Sequence, residues 1–169
     1  MDNNTQRANA GKTAGAVGLV CNLLLAVFKV FVGIFAKSMS VIADGINNLS
    51  DAASSAITYL GFRLSEKPAD REHPYGHARF EYLSGLTVAA MIVICGFELA
   101  KSSFEKILNP TAVVLSYVTV LVLAGSVLVK LFMMIFYNKT GRKIQSTTLF
   151  AAAADSRNDC ITTSAVLLT

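Results

Sequence analysis

Four oxygen-bearing side chains sit in two pairs inside apolar stretches of this 169-residue chain. Asn47 and Asp51 lie in SVIADGINNLSDAASSAITYL, and Asp155 and Asp159 lie in TLFAAAADSRNDCITTSAVLL. An i,i+4 spacing puts both members of a pair on one helix face. A carboxylate in a low-dielectric interior is costly unless something compensates it. Two such pairs on two helices point to a buried site for a divalent cation, and hence to a membrane transporter of a hard metal ion.

The first of these stretches is unusually polar for a buried helix. Asp44, Asn47, Asn48, Asp51, Ser54, Ser55 and Thr58 form one stripe along it, and that stripe must face protein or water. The second offers Asp155, Asn158 and Asp159 in the same way. Asn48, Ser54, Ser55 and Thr58 are expected to hydrogen-bond between helices. Asp44 is open to three roles: ligand, carboxylate on the ion's access path, or polar clamp. Carboxylates gathered at one depth repel one another, and a bound cation, or protons in its absence, resolves the conflict.

The donors also bear on the ion. Neither histidine lies in an apolar segment, so the site is all oxygen. Carboxylate and amide oxygens suit Mn²⁺, whereas imidazole and thiolate suit Zn²⁺. Cys160 follows Asp159 but points about 100° away from it, which argues against thiolate ligation. Manganese leads; iron, cadmium, cobalt and zinc stay open. A second cluster, Asp70, His73 and His77 in DREHPYGH, has a spacing that can wrap one Zn²⁺-sized ion. Pro74 and Gly76 would supply its turn.

The elements that must position these groups are apolar helices. Hydrophobic residues make up 53% of the chain and charged residues 15%, against about 25% in soluble domains. Mean hydropathy is +0.52. Five apolar segments recur, near 14–35, 40–64, 80–102, 113–137 and 147–169, each about long enough to cross a bilayer core of about 30 Å. The expected fold is therefore all-α, a polytopic transmembrane helix bundle occupying residues 14–169. Residues 1–13 form a polar N-terminal segment without a cleavable signal pattern, and a charged loop spans about 65–79. Pro110 separates the third and fourth segments.

Charge sets the topology. Arg7, Lys12, Arg63, Lys67, Arg71, Arg79, Lys139, Arg142 and Lys143 fall on one side, against Lys37, Lys101 and Lys106 on the other. The excess places the N-terminus and the second and fourth loops in the cytoplasm. It also explains the net charge of +4 without nucleic acid as a partner. Lys29 and Lys130 lie within segments and are expected to snorkel or pair. Cys21, Cys95 and Cys160 read as packing residues, with no CxxC spacing. The apolar end at ITTSAVLLT reads as a chain cut before a sixth helix.

ADGINNLSD, PADREHPYGHARFEYLSG and AADSRND together resemble the cation diffusion facilitator family, a likeness that covers essentially the whole chain. The resemblance implies an intramembrane transport site at Asn47, Asp51, Asp155 and Asp159, so choosing Asn47 as the fourth ligand. Asn-x-x-x-Asp with Asp-x-x-x-Asp is similar to the manganese-exporting subgroup; zinc-transporting members commonly carry a histidine there. It also implies six helices, a cytoplasmic C-terminal domain that this chain lacks, a homodimer, and in some members a metal bound by Asp70, His73 and His77.

The expected activity is Mn²⁺/H⁺ antiport: metal displaces protons from the carboxylates on one side and protons displace metal on the other. Zn²⁺, Fe²⁺, Cd²⁺ or Co²⁺ efflux by the same route is the alternative. No resident cofactor is implied, the metal being cargo. An intramembrane aspartyl hydrolase would want signature glycines beside its dyad, which INNLSD and ADSRND lack. A channel would conduct without proton coupling. With no transit signal, the expected location is a bacterial cytoplasmic membrane.

Overall fold

The computed structural model describes residues 3–71, 73–108 and 117–168. Five helices account for nearly all of them: α1 (Asn3–Phe35), α2 (Met39–Ser65), α3 (Phe80–Leu108), α4 (Tyr117–Ile144) and α5 (Thr147–Leu168). No strand occurs among the described residues. Pro110 and the expected start of the fourth segment near Val113 lie outside them.

The apolar segments set the helices, but several helices outrun them. α1 begins eleven residues before the expected start at Ala14, so the polar N-terminal segment is part of the helix. Its exposed turns are tied down by ion pairs, Arg7 Nη2 to Glu81 Oε1 at 3.0 Å and Lys12 Nζ to Glu66 Oε2 at 2.6 Å. α3 continues past Ser102 and α4 past Tyr137, both through polar residues. A helix ends where its backbone groups find other partners, not where hydropathy falls.

Two tight turns make two antiparallel hairpins. After α1, Lys37 takes a left-handed φ of +50°, and Ser38 N–H donates to Gly33 O at 2.9 Å. After α4, Gln145 takes φ +52°, and Ser146 N–H donates to Gly141 O at 3.1 Å. Both are Schellman-type caps, built here without glycine at the left-handed residue. Ser146 then caps α5, its Oγ accepting from Leu149 N–H at 3.5 Å.

The helices close into a ring. α1 packs on α2 and α4, α2 on α3, α3 on α5, and α5 on α4, with α2 and α5 also touching across the centre. Close approach within the first hairpin depends on Gly15 and Gly45. A Cβ on Gly15 would stand 2.7 Å from Tyr59 N, and one on Gly45 would stand 3.0 Å from Val30 N. Small residues that bring backbones together are the usual means of joining helices in lipid.

By length and apolarity, Gln6–Phe35, Phe80–Lys101 and Tyr117–Ile144 qualify as membrane spans. α2 and α5 fall short because of the polar stripes that the sequence displays. At 27 and 22 residues they are about 40 and 33 Å long, and they cross beside the apolar helices with the Asp44-to-Thr58 stripe, Asp155 and Asp159 buried or half-buried. The protein is an integral membrane helix bundle.

One end of the bundle gathers the N-terminus of α1, the α2–α3 loop and the α4–α5 turn. Glu81 is buried there: its carboxylate pairs with Arg7, and its backbone carbonyl accepts from Ser84 Oγ at 2.8 Å and Thr148 Oγ1 at 3.0 Å. The charge count assigns these three segments to a single side, and the Glu81 contacts bring them together.

Candidate metal centre

α2 carries Asp51 at its middle, and the whole Asp44-to-Thr58 stripe is buried or half-buried. α5 turns Leu149, Ala153, Ser156 and Cys160 into the bundle, with Asp155 and Asp159 half-buried on the flank. Asp51, Asp155 and Asp159 each offer a carboxylate oxygen, and these oxygens lie within 4.8 Å of one another. Asn47 is half-buried on α2, one turn before Asp51. Asn158, expected on the same stripe, is exposed instead. It sits one residue beyond the buried flank, where 100° of rotation is enough to turn it outward.

A residue from a third helix completes the cluster. Lys130 Nζ, 3% exposed as a residue, donates to Asp51 Oδ2 at 2.6 Å. It also stands 2.6 Å from Asp159 Oδ2, a second ion pair. Counted as ionised, the ammonium offsets one of the three carboxylate charges. The sequence marks Lys130 as a lysine needing a partner but not which one. The signal is the hairpin register: Lys130 and Asp159 lie 15 and 14 residues either side of Gln145, so an antiparallel turn there sets them level.

Asp44 is not in this cluster. Its Oδ2 is 2.8 Å from Lys29 Nζ, and the same ammonium donates to Asn48 Oδ1 at 3.3 Å. Of the three roles open to Asp44, the observed contact is the polar clamp. Lys29 and Lys130 therefore both pair inside the bundle and do not snorkel. Cys160 faces α4, with Sγ 3.8 Å from Val127 O, away from the carboxylates. One turn past Asp51, Ser55 Oγ bonds Asn22 Nδ2 at 3.3 Å and Tyr137 OH at 3.4 Å, joining α1, α2 and α4.

The second cluster lies in the α2–α3 loop. Asp70, His73 and His77 offer ligand atoms within 4.8 Å of one another. Asp70 Oδ1 accepts from His73 N–H at 2.6 Å, and Gly76 at φ +79° turns the chain back towards α3. His73 Nδ1 is 3.4 Å from Asp70 Oδ1, and His77 Nε2 is 3.5 Å from Asp70 Oδ2. His77 Nδ1 lies 3.1 Å from Pro68 O. A carbonyl only accepts, so Nδ1 carries a proton there, and Nε2 is the ring nitrogen that faces Asp70. This backbone-oriented imidazole is the usual arrangement behind a metal-ligating histidine. The His73 amide holds the Asp70 carboxyl below its ordinary value, with smaller contributions from the two imidazoles.

The profile of the cation efflux transmembrane domain matches residues 16–169. An uncharacterized transporter of Methanocaldococcus jannaschii is 33% identical over 152 residues, 90% of this chain and 54% of that protein. The manganese efflux system protein MneS of Bacillus subtilis is 30% identical over 149 residues, 88% of this chain and 51% of that protein. The magnetosome protein MamB of Magnetospirillum gryphiswaldense is 27% identical over 147 residues, covering 87% and 50%. The chain spans about half the length of the curated relatives it matches.

Proposed function

The chain belongs to the cation efflux family, the cation diffusion facilitators, and from that premise we propose that it forms the membrane part of a proton-coupled divalent-cation exporter, with Mn²⁺ as its first cargo. The family consists of transporters and not enzymes, so the aspartyl-hydrolase alternative falls away. The observation that carries the proposal is the cluster of Asp51, Asp155 and Asp159 between α2 and α5, in a bundle with three helices long and apolar enough to cross a membrane. Asn47 supplies the fourth oxygen. Manganese is favoured by the all-oxygen donor set and by the likeness to a manganese efflux protein. Zn²⁺, Fe²⁺, Cd²⁺ and Co²⁺ would use the same route.

Metal ligation requires ionised carboxylates, so a divalent ion arriving from the cytoplasm displaces the protons that neutralise the empty site. A rocking motion then exposes the site to the other side, where protons return and the ion leaves. The loop cluster of exposed Asp70 and His73 and buried His77 holds a second, Zn²⁺-type ion on the cytoplasmic side. The protein works as a homodimer in a bacterial cytoplasmic membrane with its N-terminus inside. The positive-inside distribution and the contacts around Glu81 support that orientation.

The test is a panel of divalent metals presented to proteoliposomes with an internal pH reporter. Mn²⁺ should drive the largest proton counterflow. Metal uptake without proton movement would reject antiport, and a response to Zn²⁺ above that to Mn²⁺ would reassign the cargo.

A further inference from the structure

Lys130 is the only charged residue between Tyr117 and Lys139, in a segment that reads VTVLVLAGSVLVKLFMMIF. A lysine at that depth ordinarily snorkels to the membrane surface or marks a functional site. Here it does not reach the surface: it is 3% exposed, with Nζ 2.6 Å from Asp51 Oδ2 and 2.6 Å from Asp159 Oδ2. The ammonium thus stands between the two carboxylates, where an ion held by both would sit.

Building on the reading of Asp51, Asp155 and Asp159 as the transport site, we propose that Lys130 is a tethered competing cation, holding these carboxylates together between cargoes and withdrawing when a divalent ion binds. Two cations within one cluster repel strongly where water does not screen them. The ammonium and the metal therefore exclude one another. The lysine head rides on a flexible four-carbon stem and can move while α4 stays fixed.

This arrangement makes Lys130 a specificity-determining residue. A monovalent ion offers the carboxylates no more charge than the ammonium already supplies, whereas a divalent ion offers twice as much. The tethered ammonium thereby sets a threshold that sodium and potassium do not cross. Lys29 provides the internal comparison. It is equally buried but pairs with Asp44 and Asn48, outside the carboxylate cluster.

The experiment measures Mn²⁺ affinity of the purified protein at fixed pH, by competition with a fluorescent chelator, with and without excess Na⁺. Lys130→Met should bind Mn²⁺ at least about tenfold more tightly and become sensitive to Na⁺. A purely structural strut would leave affinity unchanged or lower it, and either result overturns the proposal. Should Lys130→Met fail to fold, Lys130→Arg decides. Its planar fork grips carboxylates bidentately, so it should weaken Mn²⁺ binding several-fold; equal or tighter binding overturns the proposal. Lys29→Met should leave affinity as in the wild type, and a rise matching that of Lys130→Met would mean a general charge effect and sink the assignment. Asp51→Asn and Asp159→Asn separate the two levels. If both retain wild-type Mn²⁺ affinity, the transport-site reading fails. If both lose it while Lys130→Met stays at the wild-type value, only the role of Lys130 fails.

Discussion

The bundle and the α2–α3 loop each hold three potential ligand residues within the same 4.8 Å, yet the two clusters solve the problem of charge in opposite ways. In the loop, the Asp70 carboxylate is exposed and accepts from the His73 amide. In the bundle, the carboxylates are buried or half-buried, and a lysine from a third helix stands between those of Asp51 and Asp159. Ligand spacing tells where a cation can bind. The surroundings tell what must take its place when it is gone.

The largest effect should come from the bundle. Asp51→Ala or Asp159→Ala should lower Mn²⁺-driven proton flux in proteoliposomes at least about 100-fold, since a ligand matters more than the groups that orient one. Flux near the wild-type level in either variant would move the transport site elsewhere. Next, Asn47→His gives the bundle an imidazole like those in the loop. It should shift the Zn²⁺-to-Mn²⁺ affinity ratio towards zinc by about tenfold. An unchanged ratio would show that donor softness does not set the preference.

Weakening the loop should do less. Asp70→Ala should remove one bound metal equivalent in equilibrium dialysis and lower flux by about tenfold or less. A loss equal to that of Asp159→Ala would put the loop on the transport path itself. The smallest effect is one of pH. The Asp70 carboxyl is held below its ordinary value of 3.8, so its contribution to the turn is complete above that value and is lost only as pH falls through the lower, folded-state one. The His73 amide resonance should therefore titrate with a midpoint below 3.8; a midpoint at or above it would mean that the turn does not hold the carboxylate.

The carboxylates were legible in the sequence because their signal is local. An i,i+4 pair in an apolar run needs only the helix to be read, and Asp155 and Asp159 share a flank as that spacing requires. The inward turn of the Asp44-to-Thr58 stripe was legible for the same reason. Lys130 was not assigned a partner, because its partner depends on where the α4–α5 hairpin turns. That turn is made by Gln145 in a left-handed conformation, with no glycine to mark it. Asn158 misled because a stripe of three polar residues does not say which of them sits at its edge. The start of α1 was set too late because hydropathy marks the membrane, whereas Arg7 and Lys12 hold the helix together beyond it.

The central claim is that the oxygen cluster in the bundle, and not the loop, holds the cargo. Anomalous scattering at the manganese edge, from crystals of the protein grown with Mn²⁺, tests it directly. The account expects a peak enclosed by Asp51, Asp155 and Asp159, with Lys130 Nζ drawn away from it and the peak lost in Asp159→Ala. A manganese peak confined to Asp70, His73 and His77, with Lys130 still seated between Asp51 and Asp159, would contradict it.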